Sequence, residues 1–128
     1  MSAEPVVESA AAIVPVRDVG ASADFYTGVL GFALRTRTDD PGFAIVERGG
    51  AAVHLLATED QDALRATATS IAIYIWIRGL DALWAQLAPA LGELPEGRVR
   101  APFEQPYGVR EFHVKDPDGC LLFFAERG

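Results

Sequence analysis

Short runs of apolar residues, broken by turn-forming residues, alternate with two longer runs of helical spacing. Ala10–Val16 is apolar and partly β-branched, and it reads as a strand. Asp18 follows as a helix N-cap. Val19, Ala23, Tyr26 and Leu30 then recur near helical spacing, with Ser22, Phe25 and Val29 beside them. This predicts a helix over Val19–Leu30, closed by a glycine cap at Gly31. Phe32–Arg37, Gly42–Glu47 and Ala51–Ala57 read as strands, the last two joined by a hairpin signal at Arg48-Gly49-Gly50. Thr58–Thr69 is polar and reads as a connecting segment with some helix. The second half begins in the same way. Ala72–Ile77 is strongly strand-like, and Leu80, Leu83, Trp84, Leu87 and Leu91 share one helical face ahead of Gly92. Pro89 predicts a kink or an end to that helix near Ala88. Arg98–Phe103, Arg110–Lys115 and Cys120–Ala125 read as strands, with a four-residue turn at Asp116-Pro117-Asp118-Gly119.

The order repeats. Val16-Arg17-Asp18-Val19 matches Ile77-Arg78-Gly79-Leu80, and Val29-Leu30-Gly31 matches Ala90-Leu91-Gly92, both at an offset of 61; Gly50–Leu55 resembles Gly119–Phe124 at an offset of 69. The prediction is an α+β fold: two tandem βαβββ modules forming one domain over residues 1–128, with a curved mixed sheet and helices on its outer face. Module 1 covers about 10–57, a connector 58–70, and module 2 about 71–126. Strand alternation sets Val14, Val16, Val53, Leu55, Ile73, Ile75, Ile77, Leu122 and Phe124 beneath the helices. The opposite face then carries Ala11, Ile13, Ala52, His54, Leu56, Ala72, Tyr74, Trp76, Leu121 and Phe123. Its aromatic residues line a ligand groove or pack an interface.

Composition narrows the function classes. A chain of 128 residues with 50% apolar content holds a real core and excludes a disordered protein. With 18 acidic and 11 basic residues the net charge is −7, which argues against nucleic acid as a partner. The same charge suits a cationic partner, or serves solubility alone. The longest apolar run, Ile71–Ile77, is seven residues, too short to span a membrane. A single cysteine, Cys120, and an N-terminus without signal-peptide character predict a reducing cytoplasm. Cys120 opens a strand and reads as packing rather than a nucleophile. No serine lies in a G-x-S-x-G context, no Cys pair or H-E-x-x-H pattern is present, and Asp116 and Asp118 belong to a turn.

Three strings then carry a resemblance: Val16-Arg17-Asp18-Val19 to Phe25-Tyr26, Val29-Leu30-Gly31-Phe32, and Asp116-Pro117-Asp118-Gly119. The chain resembles the vicinal oxygen chelate superfamily, which includes glyoxalase I, extradiol dioxygenases and antibiotic-binding proteins. Ile75–Asp81, Glu104-Gln105-Pro106-Tyr107-Gly108 and Arg110-Glu111-Phe112 resemble the bleomycin resistance proteins most closely. Superfamily enzymes place one metal ligand on each of four strands. The resemblance sets those positions at Ala11, His54, Ala72 and Phe123, where only His54 is a donor. No metal and no cofactor are therefore expected, since a catalytic divalent ion takes about three protein ligands.

What the resemblance implies is resistance by sequestration. A homodimer would hold a bleomycin-type glycopeptide, with its planar bithiazole and cationic tail, away from DNA. A binder of another natural product, or a glyoxalase- or dioxygenase-like enzyme, is the alternative. Phe43, Tyr74, Trp76 and Tyr107 are the candidate aromatic walls, with Tyr107 where close relatives carry Trp. Asp39, Asp40, Glu104 and Glu111 are the acidic candidates. Asp39-Asp40 also reads as a solvated turn, and Arg110-Glu111 as a structural ion pair. His54 donates to the ligand or is a satisfied buried histidine. Phe112 and Val114 share a core face, which points Glu111 and His113 into the groove. Relatives exchange an N-terminal strand hinged at a Pro; Ala12 stands there in this chain, between Pro5 and Pro15.

Overall fold

In the computed structural model, which describes residues 3–128, the alternation around Val14 and Val16 becomes strand β1 (Ala12–Val16). Helix α1 (Val19–Gly28) follows, and the Asp18 carboxylate accepts from the Ala21 N–H at 3.1 Å. The chain leaves α1 through Gly31 at φ +73°, which lets the Phe32 N–H donate back to the Tyr26 carbonyl at 2.9 Å. Strands β2 (Ala33–Asp39), β3 (Gly42–Arg48) and β4 (Ala51–Ala57) complete the first module. The connector holds helix α2 (Gln61–Thr69), capped by Asp60. It docks on β1 through Thr67, whose hydroxyl donates to the Pro15 carbonyl at 2.7 Å.

The second module runs β5 (Ala72–Trp76), α3 (Leu80–Leu91), β6 (Val99–Gln105), β7 (Val109–Lys115) and β8 (Leu121–Arg127). Of the kink or end expected near Ala88, the end is corrected, because α3 continues through Pro89 to Leu91. Proline at that place removes only one bond near the helix end. Burial of Leu91, 2% exposed in the core, offsets the loss.

Strand pairing stays within modules. The strands form two four-stranded mixed sheets, ordered β1-β4-β3-β2 and β5-β8-β7-β6, so the mixed sheet is divided into two halves. The halves share one register. Ile13 pairs with His54 in the first, and Tyr74 pairs with Phe123 in the second. These are the pairs that the two sequence offsets relate.

α1 packs on the first sheet and α3 on the second, and one hydrophobic core joins them through Tyr26, Leu30, Leu80, Leu87, Phe112 and Phe124. The Asp116–Gly119 turn is the polar joint. The buried Tyr26 hydroxyl donates to Asp116 at 2.9 Å, and Asp116 also accepts from the Asp118 and Cys120 N–H groups at 2.9 Å each. Asp118 accepts from the Arg17 N–H at 3.0 Å and from Ser22. Burial raises the Asp116 carboxyl above its usual range against these hydrogen bonds. Burial also pushes the Cys120 thiol up to about 12, with the Asp116 charge adding to it, so the thiol is inert packing. Away from the helices, both sheets keep an open face: Ile13, Leu56, Tyr74 and Trp76 are exposed there. Residues 3–11 form an exposed arm carrying Val6 and Val7.

Candidate functional site

The alternation that buries Phe112 and Val114 turns Glu111 and His113 to the open face of the second sheet. There they meet Tyr74 and Trp76 from β5, Phe123 from β8 and Phe103 from β6. The rings form a continuous strip. Trp76 lies 5.0 Å from Tyr74, Tyr74 stacks on Phe123 at 5.3 Å, Phe123 meets His113 at 4.4 Å, and His113 meets Phe103 at 5.1 Å, all between centroids. Such offset and edge-on contacts fix ring orientation. Each end carries a guanidinium, with Arg127 over Trp76 at 3.8 Å and Arg100 over Phe103 at 3.5 Å.

Glu111 is the polar centre of this face. Its carboxylate accepts from the Tyr107 hydroxyl at 2.6 Å and the Tyr74 hydroxyl at 3.3 Å, and lies 2.6 Å from His113 Nε2. The positive φ of Gly108 lets the β6–β7 turn fold Tyr107 back over it. The residue is 0% exposed. Burial pushes its carboxyl up, but the hydrogen bonds from Tyr107 and His113, with the nearby His113 charge, outweigh it, so the net shift is downward. The Tyr107 hydroxyl is raised well above its ordinary range, chiefly by donating to Glu111.

The structure does not assemble the other candidates here. Phe43 and His54 form an edge-on pair at 5.8 Å, but on the open face of the first sheet. Three acidic candidates lie away from this strip. Asp39 pairs with Arg37 at 3.1 Å, and Arg37 lies opposite the buried Ala44, so both point to the helix side. Asp40 sits in the exposed β2–β3 turn. Glu104 lies 3.6 Å from Arg110, which holds Asp81 of α3 at 3.0 Å, so strand alternation sends Glu104 to the helix side too. The same pairing rules out an Arg110–Glu111 ion pair. Only Glu111 of the acidic candidates lies on the aromatic face, and its oxygens are already partnered.

Sequence reading missed Phe103, Arg100 and Arg127. A register shift between Arg100 and Phe103 hides their shared face, and Arg127 lies past the predicted end of the last strand. A cleft of about 1220 Å³ between the β1 and β5 edges is separate from this network. It touches Tyr74 and Trp76 but not Glu111, Tyr107, His113, Phe43 or His54.

The superfamily metal does not fit this chain. Ala11, Ala72 and Phe123 offer no donor beside His54, and among the described residues no group of three or more His, Cys, Asp or Glu is placed to hold an ion. No helix among the described residues is long and apolar enough to cross a membrane.

This arrangement is a small α+β fold with an aromatic strip on an open sheet face. The chain belongs to the Glyoxalase/Bleomycin resistance protein/Dioxygenase superfamily, whose family model matches residues 8–124. Among solved structures it is similar to the bleomycin-binding protein of bleomycin-producing Streptomyces verticillus in complex with copper(II)-bleomycin. That similarity has 29% identity and a TM-score of 0.77, over 98% of this chain and 99% of that one. A second bleomycin-binding protein, complexed with bleomycin, is 26% identical with a TM-score of 0.78, over 95% and 100% of the two chains. The bleomycin resistance determinant encoded on transposon Tn5 is 26% identical with a TM-score of 0.76, over 94% and 98%. No curated protein sequence matches the chain.

Proposed function

We propose that the protein is a dimeric, non-enzymatic binder of bleomycin-type glycopeptide antibiotics, conferring resistance in the cytoplasm by sequestration. The observation that carries the reading is the aromatic strip. Trp76, Tyr74 and Tyr107 are large, flat and exposed, and the hydroxyls of Tyr74 and Tyr107 are held by Glu111. A planar bithiazole finds a stacking surface there without displacing any backbone. The likeness to two proteins whose structures contain bleomycin supports the same ligand class.

The two open faces support the dimer. Phe43 and His54 lie on one sheet and Trp76, Tyr107 and Glu111 on the other, so one chain leaves both surfaces uncovered. A two-fold partner sets the first sheet of one chain over the second sheet of the other. A groove is then walled on both sides, with Phe43 and His54 opposite the strip. The described residues bring aromatic surface and hydrogen-bonding groups to this groove, and among them no nucleophile is paired with a base and no set of metal ligands is assembled, which supports a drug held and not transformed.

Calorimetric titration with metal-free and with copper-bound bleomycin tests the reading. Saturable heat, lost in Trp76→Ala, is the expected result. No heat and no change in tryptophan fluorescence at high protein concentration overturns it.

A further inference from the structure

We infer that the aromatic face of the second sheet also selects for an oxyanion: it fits a flat aromatic ligand bearing a carboxylate, or a group of like charge and shape, held by Arg127 or Arg100. The chain as a whole is acidic, at −7, yet this face is not. Strand alternation gives it Arg100, Arg127 and Lys115. Its one carboxylate, Glu111, is fully buried and engaged by Tyr74, Tyr107 and His113. Glu104 and Glu126, the nearest acidic residues in the flanking strands, point the other way: Glu104 toward Arg110, and Glu126 toward the Gly79 N–H at 2.7 Å.

Among the described residues, no carboxylate lies within 4.0 Å of the Arg100 or Arg127 guanidinium, and neither side chain donates a hydrogen bond. Each is instead held over a ring, Trp76 or Phe103. A guanidinium stacked on an aromatic face loses little donor capacity and is oriented in advance. Its N–H groups match a planar oxyanion two at a time. The exposed rings of Tyr74 and Tyr107 lie along the strip, where the ligand's own ring rests. A cationic substituent beside either guanidinium meets a fixed positive charge, so the cationic tail of a bleomycin-type ligand would leave the strip away from both ends.

This goes beyond the antibiotic reading, because it concerns which substituent the face selects, and either idea can fail alone. The test compares 2-naphthoate, neutral 2-naphthalenemethanol and 2-naphthylmethylammonium by calorimetry, with bleomycin titrated into the same samples. Naphthoate is expected to bind about tenfold tighter than the neutral probe, the step that one charge-assisted contact supplies, and the ammonium probe weakest. The double variant R100A/R127A should abolish the preference, so that naphthoate and the neutral probe bind it equally. Equal or tighter binding of the ammonium probe, no saturable binding of naphthoate, or a preference that survives in R100A/R127A overturns the inference. Bleomycin heat without naphthoate preference overturns this inference and leaves the antibiotic reading standing. Naphthoate preference without bleomycin heat does the reverse.

Discussion

The Tyr107 hydroxyl donates to the Glu111 carboxylate across 2.6 Å, and that bond ties an exposed turn to a fully buried strand residue. Tyr107 is 62% exposed, so its ring is held in place mainly by this contact. Tyr107→Phe keeps the ring and removes the bond. The Glu111 carboxyl should then titrate higher, because one of the bonds that offset its burial is gone. Carboxyl-detected NMR titration of both proteins checks this, and an unchanged Glu111 titration contradicts the assigned network.

Acid sensitivity follows from the same carboxylate. The folded-state pKa of Glu111 lies below its ordinary value of 4.5, so the unfolded chain binds more protons in that range. The stabilisation is complete above 4.5 and is lost as pH falls through the folded-state value. Asp116 acts in the opposite direction, because its folded-state pKa lies above its ordinary value of 3.8. A melting series for wild type and Glu111→Gln separates the two. The wild-type advantage should shrink below about pH 4.5 and stay level above it; an advantage that grows on acidification contradicts the shift.

Much of the fold was legible because it is written in local pattern. Asp18, Gly31 and the Asp116–Gly119 turn each act within a few residues, and the duplication doubled the signal. The division into two sheets was not legible, since alternation shows which face a side chain takes but not which edges join. Alternation also placed Glu111 and His113 on the face where they lie. It would have placed Glu104 away from that face had the β6 register been known. Charge counted along the chain did not locate the site, because Asp39 and Glu104 are paired with Arg37 and Arg110 behind the sheets.

The two tryptophans should separate binding from folding. Trp76 is 46% exposed on the strip, whereas Trp84 lies against Phe112 of the core at 5.1 Å between centroids. Trp84→Ala should cost on the order of 2 kcal/mol of stability by removing buried surface. Trp76→Ala should cost far less and abolish most of the affinity for bleomycin. Chemical denaturation and calorimetry on both variants decide this, and equal losses of stability would make Trp76 a core residue.

The module joint should be as sensitive as the core. Tyr26→Phe removes the bond to Asp116 while leaving the ring packed, and it should cost about 1–3 kcal/mol by leaving a buried acceptor short of a donor. Asp116→Ala also frees the Asp118 and Cys120 N–H groups and should cost more. Urea unfolding at neutral pH measures both, and a Tyr26→Phe variant as stable as wild type contradicts the joint's role.

The central claim is that the protein holds the drug without changing it. The most direct measurement is protection of plasmid DNA from strand scission by activated bleomycin, titrated with protein, followed by mass spectrometry of the drug recovered after denaturing the protein. The account predicts protection that saturates at a fixed stoichiometry and a recovered drug of unchanged mass and full activity. Protection that continues far below stoichiometric protein, or a drug of altered mass, would show turnover and contradict it.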